Sequence, residues 1–152
     1  MGIIGDRRQW GFTSDAGEDI TGDGYGFQDG EGVPLHFTDI GRAMPGSFIF
    51  KVSGVTHRMG ALQDAAFEPG RRLTLVPEPA NAYDRNALAV FDETMKLHIG
   101  YVPRDLAEGL AIALRQGEKR HALCVWQWRK KDGTRVGIEV LVAPSFDDLR
   151  LS

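Results

Sequence analysis

Residues 72–76 alternate polar and apolar side chains, the period of a half-buried strand. Residues 87–91 are a short apolar run, the mark of a more buried strand. Residues 47–53 are rich in aromatic and β-branched side chains and predict a third strand, with Gly54 marking a bulge or close approach after it. A turn at 92–95 returns the chain into a strand over 96–102, and Asp132-Gly133 joins strands at 122–128 and 136–142 as a tight hairpin. One helix is plain. Behind Pro103, Leu106, Ala107, Leu110, Ala111 and Leu114 fall on one face, with Asp105 and Glu108 early, Arg115 late and Gly117 just past the end. A weaker helical pattern runs over 59–67 and stops at Pro69-Gly70. Six short strands, mostly joined by tight turns, and one or two helices predict a mainly β (α+β) fold, a small six-stranded antiparallel barrel.

Composition divides the chain. Residues 1–46 hold 11 of the 19 glycines and carry Arg7, Arg8 and Arg42 against eight acids, a net −5, whereas residues 47–152 sum to +2. The overall −3 therefore does not oppose an anionic partner for the second part. The expected division is an acidic, glycine-rich extension over 1–46, the barrel over 47–144 and a tail over 145–152. Asp19-Ile20-Thr21-Gly22-Asp23-Gly24 begins like a calcium loop, but Gly30 stands where the twelfth-position Glu belongs, so an ordinary Gly/Asp-rich loop is the better reading. No run reaches the roughly 18 apolar residues of a membrane span, and the first residues lack the order of a signal peptide. The lone Cys124 in an apolar strand reads as a buried thiol. These features predict a soluble, cytoplasmic protein with no membrane partner.

Little points to catalysis. His36, His57, His98 and His121 are scattered without metal-ligand spacing, and no phosphate loop, dinucleotide fingerprint or nucleophile elbow is present. His98 reads as a packed residue, and Glu78 and Asp84 as turn carboxylates rather than an acid–base pair. Binding fares better. Arg58, Arg104, Arg129, Lys130 and other cations are interleaved with Tyr83, Tyr101, Trp126 and Trp128, a mixture suited to tracking phosphates and stacking bases. A charge run such as Arg129-Lys130-Lys131 is usually a solvated hairpin tip, which is the plainer reading of these three residues.

One stretch adds more. Glu78-Pro79-x-Asn81-x-Tyr83-Asp84-x-Asn86-Ala87-Leu88-Ala89-Val90 follows Pro69-Gly70-Arg71-Arg72-Leu73 and precedes Ile99-Gly100-Tyr101-Val102-Pro103. Together with Gly54 these residues resemble the HIRAN domain over roughly 48–143. The resemblance implies a barrel akin to the OB-fold that holds the 3′-hydroxyl end of single-stranded DNA in fork-remodelling translocases. It also implies roles. Tyr83 would stack on the terminal nucleotide, Asp84 would accept the 3′-OH, and Asn81 would orient the loop or touch the sugar–phosphate. Tyr101 and Arg104 would meet backbone phosphate beside the helix N-terminus, and Trp128 would pack beside the bases. Two departures are visible: Ala82 replaces the usual Pro of the motif, and Thr56-His57-Arg58 stands where an Arg-Tyr pair is expected, leaving His57 to stack and Arg58 to pair with phosphate.

The expected function is a non-catalytic module for single-stranded DNA, preferring a 3′-OH end, in DNA repair or replication-fork processing, with no cofactor. The alternative is a protein-interaction or regulatory adaptor, in which residues 1–46 dock on a protein partner, self-associate or mask the DNA groove. A metal-dependent nuclease ranks third, for want of a ligand cluster.

Overall fold

In the computed structural model, which describes residues 2–152 and so leaves Met1 of the N-terminal segment outside the described residues, the long strand His121–Lys130 is where two parts of the sheet join. Before it come β1 (Ile3–Thr13), β2 (Asp19–Gln28), β3 (Pro34–Leu35), β4 (Phe48–Lys51), β5 (Arg72–Pro77), β6 (Leu88–Asp92) and β7 (His98–Tyr101). The junction strand is β8, followed by β9 (Arg135–Ala143) and β10 (Leu149–Leu151). Helices α1 (Ile40–Ala43) and α2 (Met59–Leu62) are single turns, whereas α3 (Arg104–Arg115) is the helix expected behind Pro103.

One edge of β8 pairs with β9 along most of its length. Its other edge is shared: Ala122 and Leu123 pair with β5, and Trp126 to Lys130 pair with β2. The first half thus leads into β5-β6-β7 and the second into the β1–β2 hairpin. The period of two along β8, β9 and β4 fills two cores. Phe50, Val52, Ala122, Cys124, Ile138, Val140 and Val142 face a core shared with Leu88, Val90, Ile99 and Leu110 of α3. Leu123, Val125, Leu141 and Ala143 face the other way, against Ile3, Phe27, Ile40 and Met44. Burial pushes the Cys124 thiol up to about 12, so it is an inert core group.

The mainly β class and the strands expected after residue 46 correspond to β4 to β9. Two expectations need correction. Among the described residues the sheet has ten strands rather than six, because the glycine-rich segment forms a long hairpin on β8 with the short β3 beside it, and the C-terminal segment supplies β10, parallel to β1. Nor does a continuous ladder close a barrel among the described residues: Ser53, two residues past the end of β4, pairs with Tyr101 of β7 as an isolated bridge, each amide donating to the other's carbonyl at 2.9 Å. Gly100 permits that contact, since a Cβ there would lie 2.3 Å from the Ser53 carbonyl oxygen. Arg135, the first residue of β9, is buried, donating to Gln127 and to the carbonyls of Leu62 and Asp64. No described helix is long and apolar enough to cross a membrane.

Candidate nucleic-acid interface

The loop between β5 and β6 is built by its own polar side chains. The Glu78 amide donates to the Ala87 carbonyl at 2.9 Å and closes the loop base. Asn81 Oδ1 accepts the amides of Tyr83 at 2.9 Å and Asp84 at 3.1 Å, and Asp84 Oδ1 accepts the amide of Asn86 at 2.9 Å. These contacts take over the turn-forming work that a proline at position 82 would share. They also aim the tip. Tyr83 is 90% exposed, against the ordinary habit of a tyrosine to bury its ring.

A second strand end meets the loop. Glu78 Oε1 accepts both Asn81 Nδ2 at 3.0 Å and the Tyr101 hydroxyl at 2.9 Å, fastening the end of β7 to the loop base. Burial, and then the adjacent Glu78 carboxylate, raise the Tyr101 pKa, so its hydroxyl stays protonated as a donor. Behind it, the His98 ring stacks on Phe91 at 4.8 Å and meets Tyr101 edge-on at 5.0 Å. His98 Nε2 lies 2.8 Å from the Gly100 carbonyl, which can only accept, so this nitrogen carries the proton. Burial, aided by Arg58, lowers the His98 pKa and keeps the ring neutral. His98 is a packed residue, as its place in a strand implied.

Asn81, Tyr83, Asp84, Tyr101 and Arg104 line one open cavity of about 500 Å³, completed by Ser53, Ala87 and Val102. Asp84 divides its oxygens: Oδ1 serves the Asn86 amide, whereas Oδ2 faces Arg104 Nε at 4.0 Å, beyond hydrogen-bond range. One carboxylate oxygen therefore retains capacity for a hydroxyl donor, and the Arg104 guanidinium stands in solvent beside it. Arg104 is the first residue of α3, so the positive end of that helix borders the same cavity.

Three expected residues lie elsewhere. Arg58 is near enough for its charge to act on Tyr101 and His98, but does not line the cavity. His57 is exposed on the turn of residues 55–57 and does not line it either. Trp128 stands on β8, where it lines cavities shared with Trp10, Phe12 and Trp126. No residue of 2–46 lines the Tyr83 cavity, so the glycine-rich segment does not mask it. The sequence also gave no hint of Ser53, which lines the site only through its long-range pairing with Tyr101. Glu78, by contrast, was visible as a turn carboxylate, and its service to two donors is that structural use. Among the described residues no cluster of His, Cys, Asp and Glu is arranged to hold a metal.

No curated protein sequence matches the chain. Two solved structures are similar, each with a TM-score of 0.48 and covering 64% of this chain. The HIRAN domain of human HLTF is 17% identical over 74% of its own length, and a protein from Lactobacillus plantarum is 18% identical over 97% of its length. The model of the HIRAN domain matches residues 45–144, a span that includes β4 to β9, α3 and every residue lining the cavity. With well over half its length in that match, the chain belongs to the HIRAN family.

Proposed function

We propose that this protein is a non-catalytic module that binds single-stranded DNA and prefers a free 3′-OH end, acting in DNA repair or replication-fork processing. The observation that carries the reading is the convergence of Tyr83, Asp84 and Arg104 on one open cavity. An exposed phenol ring offers a stacking face for the last base. The uncommitted Asp84 oxygen accepts the terminal hydroxyl, and repels a terminal phosphate by like charge. Arg104 and the start of α3 supply positive potential for the phosphate that follows.

Fluorescence anisotropy with labelled oligonucleotides tests this reading. The protein should bind a 3′-OH strand more tightly than the same strand ending in 3′-phosphate. Tyr83→Ala should weaken the 3′-OH strand by about 5- to 150-fold, the worth of one stacked base. Asp84→Asn should narrow the difference between the two ends, because it removes the repelling charge while its remaining oxygen can still hold the Asn86 amide. Equal affinity for both ends in the wild-type protein would eliminate end recognition, and no binding at low salt would eliminate DNA.

A further inference from the structure

A second aromatic surface lies outside the cavity just described, and two of its three rings lie outside the segment shared with the family. Trp10 and Phe12 on β1 are 57% and 41% exposed. Their rings stack at 5.3 Å, and each meets Trp128 edge-on at 5.9 Å. The three share an open cavity of about 450 Å³ with Lys51, Val136 and Glu139.

The arrangement is built. Gly22 pairs with Trp10 on one side and Trp128 on the other, and a Cβ there would lie 2.5 Å from the Trp128 ring. The missing side chain lets that ring lie across the hairpin. Trp128 Nε1 donates to Glu139 Oε2 at 3.2 Å, which fixes the ring and occupies part of the carboxylate. Lys51 faces the same hollow, and Arg8, its side chain mostly in solvent, borders the adjoining one with Trp128.

Position identifies the occupant. Lys51 lines this cavity, and Ser53, two residues on, lines the Tyr83 cavity, while Val52 between them is buried. Alternation therefore puts Lys51 and Ser53 on one face, about 7 Å apart. A strand whose 3′ end sits at Tyr83 and Asp84 can leave past Ser53 and Lys51 onto the three rings. We infer that Trp10, Phe12 and Trp128 form a stacking platform for the nucleotides that precede the held end. The inference rests on the end-binding reading and extends it to a site made by the N-terminal hairpin. Flat exposed rings beside cations suit single-stranded nucleic acid of any sequence, since every base has a π-face.

The test compares oligothymidines with 3′-OH ends: one of about three nucleotides, and one of about twelve, within the ~4–16 that such folds cover. The full-length wild-type chain should bind the longer one at least about tenfold more tightly and quench its tryptophan fluorescence. The double variant Trp10→Ala/Phe12→Ala should keep the affinity for the short strand and lose most of the extra affinity for the long one, so that the two strands bind nearly alike. Trp10→Phe with Phe12→Tyr keeps the rings and should restore length dependence. Wild-type affinity that does not change with length overturns the platform. So does an equal loss on both strands in a double variant whose melting temperature is unchanged. Self-association that the double variant abolishes, with oligonucleotide binding intact, assigns the rings to a second copy and overturns it too. Loss of the preference for 3′-OH over 3′-phosphate, with length dependence and its sensitivity to Trp10 and Phe12 retained, sinks the end pocket alone and supports the platform.

Discussion

Glu139 shows how one side chain ties binding surface to stability. It is partly buried among Trp126, Trp128 and Lys51 and accepts the Trp128 indole N–H. Burial raises its pKa, while the indole hydrogen bond and the Lys51 charge pull the other way and lose. The sign of the consequence follows from linkage. An acid with a higher pKa folded than unfolded holds its proton more tightly in the folded state, so its ionisation erodes stability as pH rises from the unfolded value near ~4.3 through the folded one. Glu139→Gln keeps the size and an acceptor for Trp128 but never ionises. Its melting temperature should match wild type below about pH 4 and exceed it at pH 7, by about 2–4 °C for each kcal/mol relieved. Thermal unfolding across pH checks this, and a gain confined to low pH would contradict it. Tyr83 is the opposite case. Its near-complete exposure gives the fold nothing to lose, so its substitution should be read in affinity, with little change in melting temperature.

The element that departs most from its sequence pattern is the β1–β2 hairpin. Its strands carry Gly5, Gly11, Gly22, Gly24 and Gly26, a composition that reads as loop because glycine is disfavoured in strands. Gly5, Gly22 and Gly24 are instead the places where rings or backbone come close. A Cβ on Gly24 would lie 2.2 Å from the Val125 carbonyl oxygen, whereas one on Gly11 would meet the Ile20 carbonyl at an ordinary 3.6 Å. Gly24→Ala should therefore cost about 1–3 kcal/mol and lower the melting temperature by about 2–12 °C. Gly11→Ala should stay within about 0.5 kcal/mol; similar losses for both would remove close packing as the reason. Strands β4 to β9 were legible because β-branched and aromatic residues mark them directly. So was the Asn81–Tyr83–Asp84 turn, because its side chains bond their own backbone and need no distant partner. Trp128 was not placeable. Period two assigns it to one face of β8, but what that face meets depends on a hairpin more than a hundred residues earlier.

For the whole molecule, the family match begins at residue 45, yet the strand on which both halves depend is finished by residues before it. Removing residues 1–46 would strip β2 from Trp126 to Lys130, leaving a long hydrogen-bonding edge open. It would also take Ile3, Phe27, Ile40 and Met44 off Leu123, Val125, Leu141 and Ala143. Those residues face away from the first core, so no rearrangement of β4 to β7 covers them. Asp23 would go as well. It accepts from Gln127 and Arg129, and Gln127 in turn accepts from buried Arg135, so Arg129 would lose its carboxylate and the Gln127 that holds Arg135 would lose its acceptor. Residues 47–152 alone should accordingly aggregate or melt far below the full chain, rather than bind DNA more tightly as removal of a mask would make them do. Solubility and thermal unfolding of the truncated protein decide it. Leu123→Ser and Leu141→Thr in that fragment should recover some solubility by making the uncovered face polar, without restoring the order of the full chain. A truncated protein as soluble and stable as the intact one would show that the hairpin is an attachment to the family domain and not part of its packing.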